Sequence, residues 1–319
     1  MKNRKKIIIT GASGFLGRNL LLSLLQYDDH RVFAFSSRAE ELKECFQHVD
    51  KSRLEILNKE ALFEERGAEI IKDALMVHCA YPRGTNGLGL AEGLRYIQRV
   101  FEAARDYDAE GVINISSQSV YSEHRIEPAD EGASVCLESA YAVGKYSVEL
   151  LLESLFRESD TAWTNVRMAS LIGPGFDQRV INKLVATGLS EGRITVKENF
   201  QKFGFLDVSD AATAITKMAG SQYTIWDTVY NLGPERGISL CEMATTVRDV
   251  FREQLQRDVE IITIPGEENG NSELNSNKFY EAFCFHPAVS FRESVTRILE
   301  YDLMKQSSRM VSQQKKEAK

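Results

Sequence analysis

At 319 residues, with 43% hydrophobic and 27% charged side chains, the chain has room for one large α/β domain, or a main domain with a smaller lobe. Its formal net charge of −7 argues against nucleic acid or an anionic membrane surface as the main partner, although helix N-termini still allow a small anionic ligand. Five scattered cysteines without a C-x-x-C pair point away from zinc and disulfide frameworks and toward a reduced, cytoplasmic setting, and no apolar run approaches the roughly 18 residues of a membrane helix.

The basic start, Lys2 to Lys6, leads into Ile7-Ile8-Ile9, which ends at once in Thr10-Gly11 and is too short for a signal-peptide core. Lys6–Thr10 is predicted as a buried strand and Arg18–Tyr27 as a helix. A strand at Arg31–Phe35, a helix from about Arg38 and a short strand around Arg53–Leu57 follow. Ala74–Cys79 and Gly111–Ile115 read as strands on either side of a helix at Leu90–Asp106. Tyr141–Phe156 is a helix with Val148, Leu151, Leu152 and Leu155 along one side. Strands alternating with helices imply βαβ units and a parallel, doubly wound sheet of Rossmann type over residues 1–165.

After Val166 the rhythm loosens at Gly173-Pro174-Gly175. Helices at Val180–Leu189 and Leu240–Gln254 are separated by short strands near Ile194–Val196 and Val229–Leu232. Residues 166–305 are expected to form mostly a smaller α/β substrate lobe, with segments near 201–232 returning to the main sheet. Residues 306–319, polar and Lys-rich, read as a flexible tail. The five histidines show no metal-ligand spacing, so no catalytic metal is expected.

The first strand runs into Gly11-Ala12-Ser13-Gly14-Phe15-Leu16-Gly17. Gly11 permits a tight turn, Gly14 lets backbone N–H groups approach a pyrophosphate, and Gly17 allows close helix–strand packing. A helix N-terminus then offers positive partial charge to the phosphates. This strand–turn–helix context predicts dinucleotide binding by Gly11, Ser13, Gly14, Phe15, Leu16 and Gly17. At the end of the second strand, where an NAD site usually has an acid, stand Ser36, Ser37 and Arg38. Ser36 and Arg38 suit a 2′-phosphate, so NADP(H) is favoured over NAD(H).

Tyr141 and Lys145 are one helical turn apart and share a face. A phenol of pKa about 10 is a poor base near neutrality, and a neighbouring ammonium makes it a usable acid/base by favouring the phenolate. Upstream, Ser116-Ser117-Gln118-Ser119 ends a predicted strand, where a hydroxyl can bond a substrate oxygen.

The G-x-x-G-x-x-G spacing and these later motifs resemble the extended short-chain dehydrogenase/reductases, the NAD-dependent epimerase/dehydratase family. Val166 to Gly175 is similar to that family's L-R-P-x-N-V-Y-G-P-G, and Phe205 to Ala212 to its F-I-x-V-D-D-x-A. Tyr230-Asn231-Leu232-Gly233 followed by Ile238-Ser239-Leu240 also fits, so the resemblance spans roughly residues 5 to 300. It implies Tyr141 as acid/base, Lys145 bonding the nicotinamide ribose, and Ser117 polarising the substrate. It places Ile56 near adenine and Ala80, in a His78-Cys79-Ala80 triplet like the family's H-L-A, beside the cofactor. It also implies a homodimer through paired helices, because Leu88–Asp106 and Tyr141–Phe156 are apolar on more than one side.

The departures bear on the substrate. Ser170 stands where nucleotide-sugar enzymes carry an Asn near the diphosphate, and Phe203 where many have an Arg. Gln118-Ser119 replaces the Asp-Glu of the 4,6-dehydratases. The leading expectation is an NAD(P)-dependent epimerase or keto-reductase of a sugar, expectedly nucleotide-linked. An NADPH-dependent reductase of a non-sugar carbonyl compound and a non-catalytic dinucleotide sensor are the alternatives.

Overall fold

A computed structural model of the chain describes residues 4–82, 87–198, 201–266 and 270–317, with side chains as far as Ser308. In chain order the elements are β1 (Lys5–Thr10), α1 (Phe15–Leu24), β2 (His30–Ser36), α2 (Ala39–Cys45), β3 (Leu54–Asn58), α3 (Glu65–Ile71), β4 (Ala74–His78), α4 (Gly87–Asp106), β5 (Gly111–Ser117), α5 (Ala140–Phe156) and β6 (Ala162–Met168). There follow β7 (Ser170–Ile172), α6 (Val180–Glu191), β8 (Arg193–Glu198), β9 (Phe205–Asp207), α7 (Val208–Ala219), β10 (Val229–Leu232), α8 (Leu240–Leu255), β11 (Glu260–Pro265), α9 (Asn277–Phe283) and α10 (Phe291–Glu317).

Seven parallel strands make the main sheet in the order β3-β2-β1-β4-β5-β6-β10. The order reverses between β1 and β4, which opens a crevice at the carboxyl ends of those strands. Both faces are covered, so β1 is apolar on both sides. Ile7 and Ile9 pack with Leu20 and Leu24 of α1, Ile215 of α7 and Phe279 of α9, whereas Ile8 joins Ile70, Val100 and Leu152 of α3, α4 and α5.

The second lobe has its own core, in which Ile181 and Val185 of α6, Ile194 of β8, Val247 and Phe251 of α8, and Ile298 of α10 meet. Its small sheet pairs β8 with β11 in parallel. α8 begins with a reciprocal capping box between Ser239 and Glu242, and the donated hydrogen bonds hold the Glu242 carboxyl at about 2. β7 pairs with β9, Ser170 opposite Phe205, between the lobe and the main sheet.

Several elements differ from the sequence reading. α1 begins at Phe15, directly after its Gly14 cap, rather than at Arg18. β6 is not signalled by an apolar run, because its polar side chains are satisfied inside: Asn114 Nδ2 donates to Asn165 Oδ1 at 2.7 Å, and Arg167 meets a buried carboxylate. The stretch from Gln306, expected as a flexible tail, continues α10 as helix as far as Glu317; residues 318 and 319 lie outside the described ones. α10 also meets the loop between β7 and α6, where Lys305 Nζ lies 2.7 Å from an Asp177 carboxylate oxygen. Among the described residues no helix is long and apolar enough to cross a membrane.

Candidate active site

The chain leaves β1 through Gly11, whose φ is +70°. A Cβ there would stand 2.6 Å from the backbone nitrogen of Ala80, so left-handed backbone and the close pass of the β4 exit both require glycine. This contact places Ala80 directly against the glycine loop. Gly14 N donates to Gly11 O at 2.9 Å and caps α1 with no side-chain hydrogen bond. No acid occupies the first turn of α1. Nothing on a side chain therefore competes for the first N–H groups of the helix, the arrangement that suits a pyrophosphate. Leu16 is buried in the core and offers the crevice only its backbone, while the Phe15 ring packs on Phe176 at 4.3 Å between centroids.

Ser36 and Arg38, the residues expected at a 2′-phosphate, are drawn into the loop itself. The buried Ser36 hydroxyl donates to Ser13 Oγ at 2.7 Å and accepts from the Arg38 amide at 2.9 Å. Arg38 Nη2 donates to the Ser13 carbonyl at 3.0 Å, and Nη1 lies 3.4 Å from Glu41. Ile56 sits inside β3 opposite Ala34, whereas Asn58 occupies the carboxyl end of that strand opposite Ser36. A lone Asn closing a short strand reads in sequence as a turn residue, so Asn58 carried no earlier signal.

Ser117 ends β5 and accepts hydrogen bonds from Ser119 N at 3.2 Å and Ser119 Oγ at 3.0 Å. Tyr141 stands in the first turn of α5, behind the Ser139 cap, with 38% of its surface exposed. Burial by the surrounding protein holds its phenol above the ordinary value, while a hydrogen bond with Ser117 and the charge of Arg179 act the other way. Lys145 lies one turn on, 7% exposed, and donates to the Ile115 carbonyl at 2.8 Å. Burial lowers its ammonium to about 8, against the raising influence of Cys79 and Glu149. The ammonium rests 4.3 Å from the ring centroid of Tyr81 and 6.0 Å from that of Tyr141. The influences that lower the Tyr141 phenol thus come from Ser117 and Arg179 rather than from the expected Lys145, and they do not overcome burial.

Tyr81 is a member of this cluster that sequence reading did not find. Its hydroxyl donates to the Tyr141 carbonyl at 3.3 Å and its ring meets Tyr141 edge-on at 5.2 Å. The approach depends on Gly144, because a Cβ there would overlap the Tyr81 hydroxyl. A glycine that weakens a helix interior by about 1 kcal/mol relative to Ala is therefore explained by packing. His78 lies under the cluster, its Nδ1 2.8 Å from Thr10 Oγ1, and burial followed by the Lys145 charge keeps the ring neutral, near 3.

A buried polar chain backs the site. Ser116 Oγ donates to Glu149, Arg167 Nη2 donates to the same carboxylate at 2.7 Å, and Arg167 Nη1 donates to the Tyr121 hydroxyl at 2.9 Å. Tyr121 in turn donates to Asn231 Oδ1 at 2.9 Å, and Asn231 Nδ2 donates to the Ala129 carbonyl at 2.9 Å. The chain ties β5, α5, β6 and β10 together behind Tyr141 and Lys145. The signal available in sequence was Glu149, one turn past Lys145, on the same helix face.

From the lobe side, Ser170 accepts from Gln118 Nε2 at 3.2 Å, which brings β7 against the serine run. Phe203 stacks on Phe205 at 5.9 Å, and its neighbour Lys202 lies 3.6 Å from Glu242. No carboxylate is contributed by Gln118 or Ser119.

A glycine loop at the switch point, with Ser117, Tyr141 and Lys145 beside it, defines an extended short-chain dehydrogenase/reductase. The profile of the NAD dependent epimerase/dehydratase family matches residues 7–233, and the chain belongs to that family. It is 24% identical to a protein of Bacillus subtilis (strain 168) described as the uncharacterized UDP-glucose epimerase YtcB, over 93% of this chain and 97% of that one. It is 22% identical to UDP-glucuronic acid decarboxylase 6 of Arabidopsis thaliana, with 92% and 88% covered. Among solved structures, the fold is shared with the UDP-N-acetylglucosamine 4-epimerase of Methanobrevibacter ruminantium M1 in complex with UDP-N-acetylmuramic acid (TM-score 0.78, 23% identity, 96% of this chain and 100% of that one). It is also shared with the UDP-glucuronic acid 4-epimerase of Bacillus cereus in complex with UDP-glucuronic acid and NAD (TM-score 0.77, 18% identity, 92% and 98%).

Proposed function

We propose that the chain is an epimerase of a nucleotide-linked sugar that works by hydride transfer with Tyr141 as acid/base. The observation that carries this reading is the convergence of Ser117, Tyr141 and Lys145 beside a glycine loop whose helix start has no side-chain cap. The dinucleotide, when bound, supplies the group that accepts and returns a hydride. Tyr141 Oη takes the proton of the sugar hydroxyl, and the Ser117 hydroxyl holds the same oxygen as it becomes a carbonyl. Lys145, at about 8, remains largely an ammonium at neutral pH, while the hydrogen bond with Ser117 and the charge of Arg179 are the influences that favour the Tyr141 phenolate. The same Tyr141 hydroxyl returns the proton when the sugar is reduced from its other face. Elimination would need a further acid/base, and Gln118 and Ser119 do not provide one.

NAD, rather than the NADP(H) suggested by Ser36 and Arg38 alone, is proposed as the cofactor. The Ser36 hydroxyl is spent on Ser13, and Arg38 is shared between the Ser13 carbonyl and Glu41. The family description and the Bacillus cereus relative solved with NAD support the same assignment. In a thermal-shift series, NAD is expected to raise Tm more than NADP, and UDP-glucose or UDP-glucuronic acid to raise it further. One of these sugars is then expected to be converted to its 4-epimer without net release of NADH. Net NADPH consumption on a keto compound, with no response to either nucleotide-sugar, would replace this reading with that of a carbonyl reductase.

The assembly is proposed to be a homodimer. α4 and α5 pack on one another, and Leu88, Val143 and Leu150 project from them into solvent. Multi-angle light scattering is expected to give twice the 36.0 kDa chain mass; a monomer at working concentration rules this out.

A further inference from the structure

Arg179, just ahead of α6, carries a charge that no carboxylate among the described residues neutralises. Its guanidinium lies over the Phe176 ring at 4.8 Å, and Phe176 packs in turn on Phe15 of the glycine loop. Its Nε is buried with no hydrogen-bond partner, and among the described residues no carboxylate pairs with it. Among other partly buried arginines, Arg167 is engaged with Glu149, Arg53 with Asp28 and Arg125 with two backbone carbonyls, whereas Arg18 of α1, behind the glycine loop, has a buried, unpartnered Nε as Arg179 does. Withdrawing an unpaired cation from water is costly, and here the cost falls beside the reacting group, since Arg179 and the Tyr141 phenol are within electrostatic reach of each other. Stacking occupies the flat face of the guanidinium and leaves its N–H edge free to fork onto a planar anion.

We propose that Arg179 is the specificity-determining residue of this site and grips a carboxylate on the sugar ring, which makes the substrate a nucleotide-linked uronic acid. This rests on the nucleotide-sugar epimerase reading above. In a pyranose with its diphosphate at C1, the diphosphate lies across the ring from a C4 hydroxyl held by Tyr141, whereas a carboxylate on C5 is next to it. Arg179, stacked on Phe176 with an unpaired N–H edge and with its charge reaching the phenol, is the candidate to meet that carboxylate. The other anion within the same crevice is the dinucleotide pyrophosphate at the glycine loop, and the test separates the two.

Kd values for UDP-glucuronic acid, UDP-glucose and NAD are measured by calorimetry on the wild type, Arg179→Gln and Arg179→Lys, the sugars in saturating NAD. Wild type is expected to bind the uronic acid at least about 10-fold more tightly than UDP-glucose, and Arg179→Gln to collapse that ratio by about 10- to 100-fold, the worth of a charge-assisted hydrogen bond. Arg179→Lys, which keeps the charge and loses the fork, is expected to fall between them. A wild type without the preference overturns the assignment and needs no variant. So does an equal weakening of both sugars, which would give Arg179 to the diphosphate, or a matching loss of NAD affinity, which would give it to the cofactor. Binding of UDP-glucose without preference for the acid defeats this inference alone, whereas NAD binding with no response to either sugar removes the nucleotide-sugar reading as well.

Discussion

Tyr141→Phe is expected to lower kcat by about 10²–10⁴-fold, the usual worth of a positioned acid/base. The substitution removes one oxygen and little else. The ring can still pack edge-on against Tyr81, and the contact from Tyr81 goes to the Tyr141 backbone carbonyl, which the variant retains. Stability should therefore stay within about 0.5 kcal/mol of wild type. Affinity for NAD, which the glycine loop governs, should also be retained. Steady-state kinetics on the turned-over nucleotide-sugar, with a cofactor titration on the same preparation, separates chemistry from folding. A loss of less than about 10-fold in kcat would remove Tyr141 from the role given to it here.

Arg167→Met is the variant expected to damage the fold most. It leaves Glu149 in the interior, where the two side chains are now 8% and 5% exposed, with only Ser116 still donating to the carboxylate. Glu149 and Tyr121 hold the guanidinium well above its ordinary range despite the opposing effect of burial. Breaking such a pair from one side typically costs about 3–5 kcal/mol, whereas replacing both partners with apolar groups of similar size is often neutral. Arg167→Met should thus lower Tm by roughly 5–10 °C for a chain of this length. Combined with Glu149→Leu, most of that loss should return. Thermal melts of the two single variants and the double variant give the cycle, and simple additivity would show that the pair is not coupled.

The parts of this molecule that were legible in sequence are those with short-range signatures. Three isoleucines running into a glycine turn declared β1 and the loop, and the one-turn spacing of Tyr141 and Lys145 declared the shared face of α5. What could not be read depends on distant segments meeting. β6 lies inside the sheet, next to its edge strand β10, yet it contains Asn165 and Arg167, and their partners on β5 and α5 make those residues acceptable there. Tyr81 joins the site because α5 has a glycine opposite it, a fact visible only after the two segments pack. Ser36 and Arg38 at the end of β2 read in sequence as groups for a 2′-phosphate. Their bonds to Ser13 cross the glycine loop, and this changes what they offer a cofactor.

The seventh strand has a consequence for how the chain must be handled during synthesis. β10 pairs with β6, Val229 opposite Asn165, and the whole inserted stretch containing α6, β8 and α7 is made before that pairing is available. Until β10 docks, β6 is an open edge of a parallel sheet, with a row of unpaired N–H and C=O groups. Nascent or truncated chains ending before Val229 would carry that edge uncovered, and parallel pairings between remote segments form slowly. The short strand Val229–Leu232 thus covers β6 against strand-to-strand aggregation, and through Asn231 it also closes the polar chain behind α5.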